Sequence, residues 1–355
     1  MKIAQVSPLV ESVPPVRYGG TERIVFYLTE ELVELGHDVT LFASADSITN
    51  ARLIPGADQA LRHGKTAIDT LTAYMTMLEN VVNYSPEFDI IHFHTGHMHY
   101  ALTRYIQTAH LTTHHDCFDA SELNIFYREF NHVPVVSVSD NQRKMCPKCN
   151  WKGTVHYGIP ENLYHFSPRH DSYLAFLGRI SPDKGVLDAI KIAQRLNMNL
   201  KIAAKVDSEN ERYFNDYVKP LLKDPRIEFV GEINNTIKNY FLGDAYALLL
   251  PVQSPEPFEI VAIEALACGA PVVAYDGGAI GEIIQNGENG YIVDDIDSAV
   301  IAIEQLENIS RLKCRQSFEN RFTSMHMVNK YLSIYESRIS ELKPEMVDMH
   351  GAGCR

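Results

Sequence analysis

The stretch from Ala245 to Ala274 constrains the fold more than any other part of the chain. Ala245-Tyr246-Ala247-Leu248-Leu249-Leu250 is a short continuous apolar run, and Pro271-Val272-Val273-Ala274 is a second. Runs of this length without alternation read as strands buried on both faces, the pattern of a parallel sheet. Parallel neighbours need a crossover, and the residues between the two runs supply a helix. Pro255 and Pro257 bias the residues before them away from helical angles, so the helix is expected to begin near Phe258 and to stop at Gly269. Glu256 then sits in the loop before the helix. Glu264 follows eight residues later, about two turns on and roughly on the same face. A loop that carries an acid and leads into free backbone amides suits a ligand with both hydroxyls and phosphates: carboxylates accept from the first, amides donate to the second.

Strand-like and helix-like segments alternate along almost the whole chain, which argues for parallel sheets covered by helices, an α/β fold. In the first half, strands are expected at Lys2–Val6, Val39–Phe42, Asp89–Phe93, Leu111–Thr113, Val135–Val138 and Val155–Tyr157. Helices are expected from Thr21 to Gly36, over Ala67–Tyr84 and from Ser139. Glu161 to Asp171 has no periodicity and reads as a linker. The second half restarts at Tyr173–Leu177 and continues with strands at Leu200–Ala203, Ile227–Val230 and Tyr291–Val293. Helices there are expected over 185–196, Glu209–Lys223, Asn234–Leu242, Asp297–Glu307, Arg311–Arg321 and Met325–Leu342, and the tail from Lys343 is expected to fray. With 355 residues there is room for two domains of ordinary size.

The pair Glu256-x7-Glu264, in the setting Pro-Glu-Pro-Phe…Glu-Ala-Leu-Ala-Cys-Gly-Ala-Pro-Val-Val, resembles the family 4 retaining glycosyltransferases of GT-B fold. The resemblance runs from Lys2 to about Leu342, more strongly in the second half. It implies two Rossmann-like domains facing each other across a cleft. Residues 1–165 would form the acceptor-binding domain and 166–325 the nucleotide-sugar-binding domain, with a helix over 326–342 crossing back to the first domain and a frayed tail over 343–355.

Further segments carry candidate chemistry. Gly178-Arg179-Ile180-Ser181-Pro182-Asp183-Lys184-Gly185 follows a strand and opens a helix. Arginine offers a fork and lysine a point charge, so two cations five residues apart suit a diphosphate. The family resemblance gives Arg179 and Lys184 that same role. Tyr18-Gly19-Gly20-Thr21-Glu22 joins the first strand to the first helix. Glycines there let backbone approach a ligand, and by resemblance Gly19 and Gly20 lie beside the donor phosphates and the acceptor. No Gly-x-Gly-x-x-Gly follows this strand, which argues against a dinucleotide site. His115, just past a strand end, can hydrogen-bond a sugar hydroxyl or a phosphate, and the family's strand ending in His-Asp brings that histidine to the transferred sugar. His92-x-His94 and His97-x-His99 have no carboxylate cluster beside them and are read as lining the cleft or its rim, with no metal. Gly277-Gly278-Ala279-Ile280-Gly281-Glu282 is a further glycine-rich loop placed near the phosphates by resemblance, and it lacks the commoner Pro before the Glu. Glu259 departs more sharply, because Pro-Glu-Pro-Phe is usually followed by Gly; a glutamate brings bulk and negative charge close to a diphosphate.

Composition excludes some classes. The net charge is −13, so nucleic acid and broad anionic membrane surfaces are unexpected partners. No apolar run reaches the roughly 18 residues of a membrane span, and the N-terminus has no signal-peptide core, so a soluble cytoplasmic protein is expected. Six scattered cysteines suit reduced thiols, and Cys146-Pro147-Lys148-Cys149 lacks the second pair a zinc site needs.

Together the resemblance implies an enzyme that moves a hexose, with retention and without metal or cofactor, from a nucleotide diphosphate sugar to a hydroxyl acceptor. UDP-glucose is the first-choice donor, ahead of UDP-GlcNAc and GDP-mannose. Glu256, His115, Arg179 and Lys184 would be catalytic; Gly19, Gly20, Pro257, Phe258, Glu259, Ile260 and Glu264 would join Arg179, Lys184 and Glu256 in holding the donor. The opening Ser-Pro-Leu-Val-Glu-Ser-Val-Pro-Pro-x-x-Tyr-Gly-Gly-Thr-Glu-Arg is similar to a soluble bacterial subgroup that includes UDP-glucose:tetrahydrobiopterin glucosyltransferase. A small soluble acceptor is therefore expected, with a cell-envelope glycan as competitor. A nucleotide-sugar 2-epimerase, or an inactive sugar-nucleotide-binding protein, on the same scaffold is the alternative.

Overall fold

A computed structural model describes residues 1–16, 19–63, 67–116 and 120–342. Arg17, Tyr18, Cys117, Cys354 and the expected tail from Lys343 lie outside the described residues.

Two parallel sheets organise the chain. The first contains β1 (Lys2–Val6), β2 (Asp38–Ser44), β3 (Arg52–Ala57), β4 (Ile90–Phe93), β5 (Ala109–Thr113), β6 (Pro134–Ser137) and β7 (Asn150–Thr154), in the order 3-2-1-4-5-6-7. The second contains β8 (Tyr173–Arg179), β9 (Asn199–Lys205), β10 (Ile227–Gly231), β11 (Ala247–Leu250), β12 (Val272–Tyr275) and β13 (Gly290–Val293), in the order 10-9-8-11-12-13. Each sheet steps outward from its first strand, then jumps back to the other side. The direction of winding thus reverses between β1 and β4, and again between β8 and β11. At such a reversal the loops leaving the carboxyl ends diverge and open a crevice. The expected α/β architecture of two Rossmann-like units is what the topology shows.

The apolar stretch around 245–274 forms the heart of the second unit. Leu248, Ala262, Ile263, Leu266 and Val272 expose no area, so the helix Ile260–Cys268 is enclosed on nearly every side. It begins two residues later than Pro257 and Phe258 suggested, and Gly269 ends it in the left-handed region at φ 86°.

Other expectations shift for identifiable reasons. β3 is a strand not expected from sequence; it holds Pro55 and Gly56 and lies at the sheet edge, where a missing donor is tolerated. The last strand of the first sheet falls at Asn150–Thr154 rather than 155–157, although the Val155 amide still donates to the Ser137 carbonyl at 2.9 Å. A helix over Ala120–Glu129, in a stretch with Leu123, Phe126, Tyr127 and Phe130 at helical spacing, joins β5 to β6. The single helix expected over 209–223 is broken into short turns, including a π turn at Phe214–Val218 and a 3-10 turn at Lys219–Lys223. Pro220 has no amide to continue the helical ladder.

The cysteines need a correction as well. Cys146 and Cys149 form a disulfide instead of two reduced thiols. The Cys149 amide donates to the Cys146 carbonyl at 3.2 Å, closing a turn that leaves the Cα atoms 5.8 Å apart, within bonding reach. Cys268 and Cys314 are free and buried.

The chain passes between the units twice, at Gly158–Pro160 and at Phe322–Ser324, and the two passages are hydrogen-bonded to each other. Ile159 N donates to Phe322 O at 3.0 Å, and Ser324 N donates to Ile159 O at 2.8 Å. A Cβ on Gly158 would lie 2.2 Å from the Thr323 carbonyl oxygen, so only glycine admits this approach. The final helix, Ser324–Leu342, then packs on the first unit against the Gly20–Glu34 helix, β4 and β5. Among the described residues no helix is long and apolar enough to cross a membrane.

Candidate active site

The two crevices face each other and merge into one cleft of about 1280 Å³. Its first wall comes from the loops after β1, β4 and β5, including Gly19, Gly20, His94, His97, His115 and Asp116. Its second wall comes from the loops after β8, β10 and β11, including Arg179, Lys184, Asn234, Glu256, Glu259, Ile260 and Glu264. Every residue expected to touch the donor or the reacting centre therefore lines one cavity. The walls come close at Gly20, where an added Cβ would stand 3.6 Å from the Ile260 side chain.

Lys184 is fixed by its neighbours. It ends a 3-10 turn, Pro182–Lys184, and Gly185 follows at φ 74°. A Cβ on Gly185 would sit 1.9 Å from the Pro251 carbonyl oxygen. The turn is thus pressed against the end of β11, and Gln253 N donates to Asp183 O at 2.8 Å. The second glycine-rich loop closes on the same place: a Cβ on Gly278 would meet the Glu256 carbonyl oxygen at 2.2 Å, and Ala279 N donates to that oxygen at 3.2 Å. Three loops from separate parts of the sequence are locked together around Glu256.

Within this frame the Lys184 ammonium lies 2.8 Å from Glu256 Oε1 and 3.2 Å from Glu259 Oε1. Burial alone would lower the Lys184 pKa, but the two carboxylates outweigh it and the net shift is upward. Burial raises the Glu259 pKa, against the pull of Lys184. The lysine is a firm cation, held by acids.

Glu264 lies deeper, with 2 % of its area exposed. Its Oε1 accepts from the Lys238 ammonium at 2.8 Å and from the Tyr164 hydroxyl at 2.9 Å. Its Oε2 is buried without a hydrogen-bond partner among the described residues. Lys238 and Tyr164 were not singled out from sequence. Lys238 is carried by a helix that Asn234 caps through Ile237 N at 3.0 Å, and nothing in the spacing ties that helix to Glu264.

The histidines of the first wall behave differently from expectation. His115 lines the cleft, but both of its ring nitrogens are already engaged: Nε2 with His94 Nδ1 at 2.9 Å and Nδ1 with the Tyr157 hydroxyl at 2.6 Å. His94 Nε2 meets Gln5 Oε1 at 2.8 Å, while Gln5 Nε2 donates to the Tyr335 hydroxyl at 3.1 Å. Tyr335 meets His92 Nδ1 at 2.7 Å, and His92 Nε2 meets Thr113 Oγ1 at 2.7 Å. Burial holds the His92 and His94 pKa values far down and pushes that of His115 down to about 3, so the rings are neutral. A neutral ring donates from one nitrogen only. With the Gln5 amide facing Tyr335, His94 donates to Gln5, His115 donates to His94, and Tyr157 donates to His115. The group this chain offers to the cleft is therefore the oxygen of Tyr157, not an imidazole nitrogen.

His92 and His99 do not line the cleft. Both expose no area, and His99 is held by Thr95 and Thr112 and stacked on Phe93. Among the described residues no group of three or more His, Cys, Asp or Glu side chains could hold a metal. Phe258 turns its ring into an aromatic cluster at the crossing with Tyr157, His156 and Phe322, with centroids 5.1, 5.7 and 6.0 Å away.

Glu282 spans the two units. It accepts from the amides of Asp140 and Asn141 at 2.9 and 2.8 Å and lies 2.7 Å from His156 Nε2. Burial would raise its pKa, but His156 and the two amides prevail and hold it low.

Two facing Rossmann-like units, with cations and acids converging on the crevice between them, define a GT-B protein. Sequence comparison agrees on both halves: the family described as Glycosyltransferase Family 4 matches residues 18–145, and that described as Glycosyl transferases group 1 matches residues 165–322. The chain is a glycosyltransferase of this group 1/family 4 type. It is 25 % identical over 342 residues to the glycogen synthase of Mycobacterium tuberculosis, covering 81 % of this chain and 82 % of that protein. It is 28 % identical over 195 residues to the capsular polysaccharide biosynthesis glycosyltransferase CapM of Staphylococcus aureus, and that match spans half of each chain. The crystal structure of Anabaena HepE with UDP and glucose shares the fold, with a TM-score of 0.73 at 16 % identity over 95 % of this chain and all of that one.

Proposed function

We propose that the cleft takes a nucleotide diphosphate sugar, UDP-glucose first, and transfers its hexose with retention to a hydroxyl of an acceptor held by the first unit. The observation that carries this reading is the division of labour along the second wall. Lys184 is a half-buried cation beside Glu256 in the loop before the helix, and Glu264, on the helix Ile260–Cys268, keeps one buried oxygen without a partner among the described residues. A sugar diphosphate answers all three: phosphate oxygens to Lys184 and Arg179, sugar hydroxyls to Glu256, ribose hydroxyls to Glu264 Oε2. HepE, a structural neighbour, was crystallised with UDP and glucose, which supports the choice of nucleotide and sugar.

In the reaction the bond between the anomeric carbon and the β-phosphate oxygen breaks, and the acceptor oxygen bonds to that carbon on the same face. The acceptor proton passes to the departing phosphate. Negative charge grows on the diphosphate, where Lys184, Arg179 and the amides opening the Ile260–Cys268 helix stabilise it. These protein cations do the work that a metal does elsewhere, so none is required. Gly19 and Gly20 keep the first wall near enough for the acceptor to reach the donor, and His115 acts by holding Tyr157. A small soluble acceptor such as a pterin alcohol is our preferred class, ahead of an envelope glycan. The cytoplasm is the expected compartment; the free buried thiols Cys268 and Cys314 are compatible with it, whereas the Cys146–Cys149 disulfide is unusual there.

Incubation with UDP-glucose alone, followed by product analysis, tests the reading. Slow release of glucose and UDP, lost in Lys184→Ala, is expected. Recovery of an isomerised sugar would assign a 2-epimerase instead, and binding without turnover an inactive protein.

A further inference from the structure

The cleft contains its own anion. Glu259 is the residue from which the Ile260–Cys268 helix starts, and it makes no side-chain capping bond to that helix. Its carboxylate, 6 % exposed, turns instead toward Lys184. A nucleotide's phosphates would call on both of these features, the lysine and the amide end of the helix. One glutamate already stands between them. Glu256 could balance Lys184 alone, at 2.8 Å, so a second carboxylate leaves the group with an excess negative charge before any ligand arrives.

We propose that Glu259 is a resident counter-anion that holds the phosphate-binding position of Lys184 until the donor arrives and must yield it when the donor's diphosphate enters. The inference rests on reading the cleft as a nucleotide-sugar site and adds a residue that tunes how tightly that site holds its ligand. The donor does not simply add to a waiting cation. It exchanges for an internal carboxylate, which weakens binding and makes it depend on proton occupancy. The charged groups facing Glu259 are Lys184, Glu256 and Asp183. Burial opposes its ionised form most, against the pull of Lys184, and the two acids oppose it further, so protonation of Glu259 releases Lys184 as pH falls. Exchange of this kind also favours release of the diphosphate after transfer, because the carboxylate returns to the lysine as the product leaves.

The test is calorimetric titration of the full chain with UDP, GDP and ADP at pH 8 and pH 6, for the wild type, Glu259→Gln, Glu259→Gly and Lys184→Ala. Glu259→Gln keeps the shape and removes the charge. It is expected to bind its preferred diphosphate on the order of tenfold more tightly than the wild type at pH 8. That ratio should be smaller at pH 6 than at pH 8, a comparison in which the ligand's own titration cancels. Glu259→Gly should show the same gain, which separates loss of charge from loss of contact. Equal or weaker binding by both variants, with the wild type still binding and Lys184→Ala impaired, overturns the counter-anion while leaving the nucleotide site intact. Failure of every form to bind any of the three diphosphates overturns both.

Discussion

Acidification should destabilise the first unit more steeply than the second, because its histidines are buried neutral. His92, His94, His99 and His114 are all at most 5 % exposed, and burial, reinforced by neighbouring histidines, holds their pKa values well below 6.5; that of His114 falls to about 3. In the unfolded chain each would take a proton near pH 6.5. A depressed folded pKa means stability that is present above that value and lost as pH falls below it. At pH 5.5 each ring costs about 1.4 kcal/mol, and four acting independently cost on the order of 5 kcal/mol. Glu22 and Asp116, in the same unit, work in the opposite sense, since their raised pKa values favour the folded state as they protonate. They offset part of the loss without reversing it, being two groups against four. The single tryptophan, Trp151, lies on β7 of the first sheet, so its fluorescence reports on this unit alone. Urea unfolding followed at that wavelength at pH 7.5 and 5.5 should show the loss, and His99→Gln should reduce the slope by about one proton's worth. A stability that stays level across this range, or a slope the variant leaves untouched, would refute the assignment of neutral buried rings.

Gly185→Ala should cost about 1–2 kcal/mol for the left-handed backbone alone, plus the displacement of Pro251. Because that shift moves Lys184, UDP-glucose turnover should fall at least tenfold even where thermal melting shows a folded protein. Lys238→Met leaves Glu264 without its cation, and UDP affinity measured by calorimetry should drop by about ten- to a hundredfold, in line with the 1.5–3 kcal/mol of a charged hydrogen bond. Glu282→Ala removes three contacts between the units; small-angle scattering should show a wider mean separation, and KM should rise several-fold with kcat little changed. Treatment with EDTA should leave turnover where it was, and a loss restored by a divalent cation would contradict charge neutralisation by Lys184 and Arg179.

Much of the site was legible because its parts are local. The strand, proline-rich loop, helix and strand around Glu256 are set by apolar runs, by the two prolines and by Gly269, all of which act over a few residues. The same holds for Arg179 and Lys184, whose turn is written in Gly178 to Gly185. What local rules cannot express is which loops end up against each other. Lys184 meeting Glu259 depends on β8 and β11 being neighbours in the sheet, and Glu264 meeting Lys238 depends on two helices packing side by side. His115 is the clearest case. Its position past a strand end was readable, yet its role changed once Gln5, His94 and Tyr335 were found around it. Those three lie far apart along the chain, and only burial in one enclosed chain of hydrogen bonds fixes which atom each of them donates. Pattern along the chain determined the class of fold and the inventory of charged groups; distance across the fold decided which of them are paired, which are neutral and which remain open to a ligand.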